Sequence, residues 1–371
     1  MRELLFWLSV GAPPPAPFQT TLVEVITRLR GAGLPIDRAA LFVRTLHPTV
    51  GGRAYFWTVE EGLRSNEAAH HFFATDDYRQ SPAARVFESA AALRRRIGGN
   101  ADDYAFFDEM AATGFTDYYG QPLIHMEGEV NAVSWSTRAP QGFSDDAIRA
   151  LDLICPAFTR IVEIYLLKLN TVSVLSTYVG RNAGARVLDG RIQRGDHERL
   201  PSAILFADLV GFTALSNRLP PSEVLERLNA FFDALAEPIG REGGEILRFL
   251  GDGVLAIFPV ASGAASREAA AEAALRTIEA ARAADPGLDF RAALHVGEVY
   301  YGNVGSATRL DFTVIGPAVN LAARLLAEAG RLGLATVASA DFAALVPGRC
   351  REAARAALKG FEGPQTIFAV G

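Results

Sequence analysis

Two aspartates stand where apolar runs of this sequence end. Residues 204–213 read ILFADLVGFT, where the apolar run stops at Asp208 and the chain turns at Gly211. Further along, a second apolar run leads into a Gly-Asp-Gly turn centred on Asp252. Each pattern predicts a buried strand with an acid at its end or in its tight turn. If the strands are neighbours, the two carboxylates converge and can hold divalent cations. Two cations beside a phosphate ester would clamp the attacking and leaving oxygens.

A purely structural interpretation of these acids is also open. An acid after a strand often caps a helix, and Asp-Gly is a common hairpin signal. A third segment favours the chemical interpretation: residues 311–324 read DFTVIGPAVNLAAR. Asn320 and Arg324 stand four residues apart, so a helix would place both side chains on one face.

Together the three segments resemble the catalytic domain of the class III nucleotidyl cyclases, adenylyl and guanylyl. The resemblance covers about residues 195–371. It implies an α+β, ferredoxin-like fold, with helices on one face of a mostly antiparallel sheet. It also implies an internal phosphoryl transfer, in which the ribose 3′-hydroxyl attacks the α-phosphate and pyrophosphate leaves. No GxxxxGK[ST] motif occurs, so a P-loop enzyme is not expected.

The resemblance assigns roles to the matching residues. Asp208 and Asp252, with the backbone carbonyl of Leu209, would hold two divalent metal ions, Mg²⁺ or Mn²⁺. Asn320 would orient the ribose, and Arg324 would stabilise the charge that develops on the α-phosphate. A planar, permanently charged guanidinium suits this last role better than a lysine.

The triphosphate needs backbone donors and cations. The turn formed by Gly211, Phe212 and Thr213 is expected to lead from a strand into a helix, so its N–H groups could cradle phosphate. Lys359 matches a family position that contacts the terminal phosphates. An ordinary surface lysine is the alternative at that position.

Base recognition departs from the family pattern. Adenylyl members carry a lysine four residues before the second metal aspartate, and an aspartate or threonine seven before the asparagine. Here these positions hold Arg248 and Thr313. A threonine hydroxyl can accept from the adenine amino group, and Arg248 can donate to adenine N1, so ATP is the expected substrate. The arginine could also reach guanine O6, which leaves GTP as an alternative.

Two other classes of function stay open. A degenerate cyclase domain could bind nucleotide, or only dimerise, as a signalling module. A metal-dependent polymerase shares the two-carboxylate chemistry, but the sequence has no basic stripe for a template. The intact metal acids and the Asn320 and Arg324 pair favour an active adenylyl cyclase.

Composition restricts the remaining possibilities. The 371 residues suffice for two domains, and the net charge of -6 gives no basic footprint for nucleic acid. Cys155 and Cys350 are too few for a disulfide framework, which fits a reduced cytoplasmic setting, although one bridge stays open. The short apolar start is followed by prolines and is interpreted as a mature N-terminus. No membrane helix is expected.

Residues 1–150 resemble a GAF-type or PAS-like sensory domain for an unknown small ligand or signal. The pattern predicts an early helix, two strands, a helical middle that includes residues 81–97 and 102–113, and two further strands. Several aromatic and histidine side chains are candidates for a sensor pocket, although such residues are more often core. They are Trp57, His70, His71, Tyr118, Tyr119 and Trp135.

Residues 151–195 are expected to link this domain to a catalytic domain at 196–371. Apolar residues recur at steps of three and four, which predicts a parallel coiled coil. The seam comprises Leu151, Ile154, Phe158, Ile161, Tyr165, Val172, Leu175 and Val179, with Lys168 at one position. A single amphipathic helix lying on the sensory domain is the alternative. In family members the metal aspartates of one subunit face the base-reading, asparagine and arginine residues of the other, so a homodimer is expected.

Overall fold

The chain divides into two compact units. The computed structural model describes residues 1–13, 16–98, 104–261 and 265–371. The first unit comprises residues 1–177 and the second residues 178–371. Each unit has its own sheet and its own hydrophobic core.

The first unit is built on one antiparallel sheet. Its elements are α1 (Arg2–Ser9), α2 (Phe18–Gly31), β1 (Arg38–Arg44), β2 (Val50–Thr58), β3 (Gly62–Ala69), a 3₁₀ turn (His70–Ala74), α3 (Asp76–Arg79), α4 (Pro82–Ser89), β4 (Leu93–Arg96), α5 (Ala105–Ala112), β5 (Asp117–Ile124), β6 (Val130–Thr137) and α6 (Asp145–Tyr178). The strand order is β3-β2-β1-β6-β5-β4.

One face of this sheet packs against a hydrophobic core, and the other borders a cavity. Successive side chains of a strand alternate between faces. On β1, Ala39, Leu41 and Val43 point into a core that is shared with α1, α2 and α6. Trp57, Tyr119 and Trp135 belong to the same core. The opposite face carries Arg38 and Phe42 of β1 and borders a cavity under residues 71–87.

The predicted helix at residues 81–97 is wrong beyond Ser89. The helix α4 ends there because Ala90 adopts a left-handed conformation, and residues 93–96 pair with β5 as an edge strand. Arg94 in this strand donates to the buried Asp117 at 3.1 Å. That ion pair joins residues 23 positions apart, so local periodicity does not report it. In the other predicted helix, α5 covers Ala105–Ala112, whereas residues 102 and 103 lie outside the described residues.

The helix α6 is a single rod of 34 residues whose first half packs on its own domain. Leu151, Ile154 and Phe158 are buried in the core of the first unit, with the Phe158 ring 6.3 Å from that of Trp135. These positions therefore match the amphipathic alternative, and they are not free to pair with a second chain. Other apolar residues of α6 are exposed: Leu153, Ile164, Leu167, Val172, Val174 and Tyr178.

The second unit has an eight-stranded mixed sheet. Its elements are α7 (Arg181–Leu188), β7 (His197–Leu209), α8 (Phe212–Ser216), α9 (Pro221–Arg241), β8 (Glu245–Leu250), β9 (Gly253–Pro259), α10 (Ala265–Ala284), β10 (Phe290–Gly305), β11 (Leu310–Ile315), α11 (Pro317–Leu332), β12 (Thr336–Ser339), α12 (Ala340–Ala343), β13 (Cys350–Ala357) and β14 (Pro364–Val370). The order is β13-β14-β12-β10-β7-β9-β8, and β11 pairs with β10.

Helices cover both faces of this sheet, so the expectation of helices on one face is wrong. On β7, Ala203, Leu205 and Ala207 pack in the core with α9 and α10. Ile204 and Phe206 point the other way, into a core shared with α11, β11 and α7. The central strands are apolar on both faces, which is what a doubly covered sheet requires.

Two expectations from the sequence concern the cysteines and membrane-spanning helices. Cys155 and Cys350 are both free thiols. Across the described ranges, no helix combines the length and the apolar character needed to cross a bilayer.

Replacing Phe158 by alanine tests whether the first half of α6 belongs to the core of its own unit. We expect Phe158→Ala to lower the free energy of unfolding of this unit by about 3–5 kcal/mol, because it leaves a cavity beside Trp135. Urea unfolding followed by tryptophan fluorescence reports on this unit alone, since all three tryptophans lie within it.

Met126→Ala is the control for that measurement. Met126 is exposed in the same unit, so its replacement should change the stability by about 0.5 kcal/mol or less. Equal, small effects of both variants would show that Phe158 does not belong to the core.

Candidate active site

The structure brings the two predicted metal aspartates together. Strands β7 and β9 pair antiparallel, with Asp208 opposite Gly253. The backbone N–H of Leu209 donates to the carbonyl of Asp252 at 3.3 Å. The end of β7 and the turn before β9 are therefore adjacent, which is the convergence that the sequence predicted.

The electrostatics of this pair fit a bound cation. Burial raises the pKa of Asp208, and the neighbouring Asp252 raises it further, against the opposing effect of Arg291. The Oδ1 atom of Asp208 is buried without a hydrogen-bond partner among the described residues. Divalent cations supply the positive charge that such a pair lacks. The described residues contain no cluster of three or more His, Cys, Asp or Glu ligands. Two carboxylates leave coordination positions on a divalent cation for other oxygen ligands.

The turn after β7 has the predicted form. Gly211 has a φ of 69°, a left-handed conformation that disfavours other residues, and it begins the short helix α8. Phe212 and Thr213 form the first turn of that helix. The three residues thus lie directly after the aspartate-bearing strand.

Arg248 has a partner that the sequence did not reveal. A bulge in β8 lies between Ile246 and Arg248, and the Arg248 guanidinium forms an ion pair with Asp311 of β11. Asp311 is two residues before Thr313, on the same face of the strand. The two-residue spacing between Asp311 and Thr313 was the sequence signal that could have identified Asp311. Thr313 itself is only 4% exposed, whereas the side chains of Arg248 and Asp311 are 36% and 47% exposed.

Asn320 and Arg324 lie together on one exposed face of α11, as predicted. Neither side chain makes a hydrogen bond or ion pair with another described residue. No described contact brings either of them to Asp208 or Asp252. Lys359 is exposed in the turn between β13 and β14. The polar face of α11 is thus available to a substrate or a second chain.

Glu245 is a buried acid that sequence reasoning missed. It accepts from the Tyr301 phenol at 2.9 Å, from the Asn182 side chain at 3.1 Å and from the Ala183 backbone N–H at 3.3 Å. The acid begins the strand that carries Arg248. It therefore ties the start of α7 to β8 and to β10. A lone glutamate opening an apolar run was its only sequence signal.

Comparison with known proteins concerns the second unit. Residues 197–360 match the family model described as the adenylate and guanylate cyclase catalytic domain. Uncharacterized protein Rv1319c of Mycobacterium tuberculosis is 37% identical over 166 residues, which is 44% of this chain and 31% of that protein. Rv1320c of the same organism is 36% identical over 170 residues, or 45% and 30% of the two chains. The matched region thus spans about a third of these relatives.

Solved structures that match this chain include an adenylyl cyclase and a guanylyl cyclase. The adenylyl cyclase CyaB from P. aeruginosa is 28% identical, with 47% of this chain and 96% of that chain covered and a TM-score of 0.42. The guanylyl cyclase Cya2 is 30% identical, with coverage of 47% and 93% and a TM-score of 0.38. The matched segment contains the aspartate pair, the exposed face of α11 and the Arg248 and Asp311 pair. Residues 197–360 of this chain thus match the adenylate and guanylate cyclase catalytic domain, and the family assignment concerns this segment alone.

Proposed function

We propose that this protein is an adenylyl cyclase that converts ATP to 3′,5′-cyclic AMP and pyrophosphate. The observation that carries this proposal is the convergence of Asp208 and Asp252 on paired central strands, with a buried, unpartnered carboxylate oxygen. Reaction would occur at a homodimer interface and would be regulated by the first unit, acting as a GAF-like or PAS-like sensory domain. We place the protein in the cytoplasm.

The proposed chemistry assigns each group one task. Asp208, Asp252 and the Leu209 carbonyl would hold two Mg²⁺ or Mn²⁺ ions, which supply charge for the attacking hydroxyl and the phosphate. Asn320 would orient the ribose. Arg324 would hold the α-phosphate oxygens through a charged, forked set of N–H donors.

The triphosphate tail would lie between two groups. The backbone N–H groups of Gly211, Phe212 and Thr213 begin a helix and would contact phosphate oxygens. Lys359, which is exposed, would add a point charge at the terminal phosphates.

The choice of base depends on the Arg248 and Asp311 pair. Arg248 would donate to adenine N1, and Thr313 would accept from the adenine amino group. Asp311 adds an acceptor that could take the N1 and N2 hydrogens of guanine, while Arg248 donates to O6. This ion pair supports GTP as a specific second candidate. The threonine at position 313 supports ATP through the family resemblance.

Turnover of ATP and GTP by the purified full-length protein tests the activity. With Mg²⁺ or Mn²⁺, we expect cyclic AMP as the main product, measured by chromatography. Asp252→Ala should lower the rate at least about 100-fold, because several kcal/mol of charge stabilisation are lost. Asp233→Ala, at an exposed aspartate of α9, should leave the rate unchanged.

Two other outcomes of the turnover experiment would change the proposal. Cyclic GMP as the main product, falling in Asp311→Ala, would replace ATP by GTP in the proposal. No cyclic product from either nucleotide, with nucleotide still bound, would identify a degenerate domain that acts as a binding or dimerising module.

Two chains are needed in the proposed reaction. Within one chain, the exposed pair on α11 has no described contact with the aspartates. A C₂ dimer would repeat every contact, so it would contain two equivalent sites, each with aspartates from one subunit and Asn320 and Arg324 from the other.

Mixing two inactive variants tests this shared site. Asp208→Ala and Arg324→Ala should each be inactive as homodimers. After subunit exchange at equal amounts, about a quarter of the wild-type activity should return, because half of the dimers are mixed and each has one intact site. Failure to recover activity, when mixed dimers are shown by differently tagged subunits, would contradict a site built from two chains.

The dimer seam must differ from the predicted one in part. An exposed stripe of α6 follows steps of three and four along Ile164, Leu167, Thr171, Val174 and Tyr178. We assign the contact with a second copy to this stripe, because heptad spacing forms a parallel pair and the exposed apolar groups would be buried.

Leu167→Glu and Val172→Glu distinguish the two seams. Leu167 lies on the exposed stripe and Val172 on the seam predicted from sequence, and both are exposed, at 63% and 40%. In sedimentation velocity, we expect Leu167→Glu to weaken the dimer at least about tenfold, because it places like charges at the contact. Val172→Glu should have a much smaller effect. If Val172→Glu weakens the dimer more than Leu167→Glu does, the dimer contact follows the seam that was predicted from the sequence.

A further inference from the structure

A cavity of about 520 Å³ lies in the first unit, away from its core. It is bounded by the face of the sheet that carries Arg38 and by the short helices between residues 70 and 89. Six of its described lining residues are phenylalanines: Phe42, Phe56, Phe72, Phe73, Phe87 and Phe106. Cavities of this volume and apolar character hold small organic molecules.

Arg38 is the unusual group in this cavity. Its guanidinium lies 5.5 Å from the ring centres of both Phe56 and Phe106. The Nη1 atom is buried without a hydrogen-bond partner, and no carboxylate pairs with this arginine, within the described residues. Burial lowers the pKa of Arg38, yet an arginine stays charged at neutral pH. A buried charge without a counter-ion is costly, so this position favours an anion.

A second polar atom lies in the same cavity. The phenol oxygen of Tyr78 is also buried without a partner among the described residues. A phenol can donate one hydrogen bond and accept others. Arg38 and Tyr78 each offer a donor to a cavity whose lining is rich in phenylalanine.

The other charges nearby restrict the class of anion. Arg53 is already paired with Glu67 at 2.7 Å. Asp77 lies exposed among the lining residues, and its charge disfavours a multiply charged ligand. Arg44 is exposed and stacks over Phe73 and Phe87 without lining the cavity. One buried cation matches one negative charge, as in a carboxylate, which can accept two N–H groups of a guanidinium.

We propose that this cavity binds an aromatic carboxylate of one or two rings, with its carboxylate on Arg38 and its rings among the phenylalanines. Aromatic rings pack edge to face at such sites, which favours a flat body over an alkyl chain. The site is independent of the proposed cyclase activity, because it rests on the first unit alone.

Calorimetric titration of the full-length protein with benzoate, naphthoate and indoleacetate tests the proposal. Each acid is compared with its own carboxamide, which has nearly the same shape and no charge. We expect at least one acid to bind at least about tenfold more tightly than its amide, since hydrogen bonds to charged groups are the stronger ones. Arg38→Met should remove that preference.

Arg44→Met is the matched control, because Arg44 lies on the same strand and face but outside the cavity lining. It should leave binding within about threefold of wild type. Arg38→Met should also melt no lower than wild type by tryptophan fluorescence, since an unpaired buried charge does not stabilise the fold. Any of three results would overturn the proposal: no acid binds, every acid that binds is matched by its own amide, or Arg44→Met loses binding as Arg38→Met does. A lower melting temperature in Arg38→Met would assign Arg38 a structural role instead.

Discussion

Burial of the Asp208 carboxylate beside Asp252 is the constraint on which the second unit depends. The two aspartates are held at adjacent strand ends, where burial raises the pKa of Asp208 and the charge of Asp252 raises it further. The pairing of β7 with β9 maintains this arrangement, because the register places Asp208 opposite Gly253, the residue that follows Asp252. The apolar core on both faces of these strands stabilises the register. Packing energy thus maintains an electrostatic arrangement that the proposed cations would relieve.

The same strands connect the site to the rest of the unit. Glu245 begins β8, holds the start of α7 and accepts from Tyr301. Four residues separate it from Leu250, where the aspartate turn follows. Strands β8 and β10 are separated by two others in the sheet. Tyr301 nonetheless contacts Glu245 of β8, and Asp311 of the neighbouring β11 contacts Arg248 of β8.

The side chains proposed to bind other molecules differ in their exposure to solvent. Asn320 and Arg324 are exposed and unpartnered in the described part of the chain, as expected of groups that await another molecule. Arg38 is enclosed and also lacks a partner there. The proposed second copy of the chain would cover the first pair. The proposed ligand would cover the second group inside its cavity.

The sequence by itself determined the local features: the strands that end at Asp208 and before Asp252, the turn at Gly211, and the shared face of Asn320 and Arg324. These follow from apolar periodicity, turn chemistry and helical spacing, which act within a few residues. Only the tertiary structure decided the strand at residues 93–96, the placement of α11 on the second face of the sheet, the ion pair between Arg248 and Asp311, and the burial of Leu151, Ile154 and Phe158. Each of these depends on contacts between residues that are distant in sequence. In particular, a heptad pattern is the same whether a helix packs on its own sheet or on a second chain.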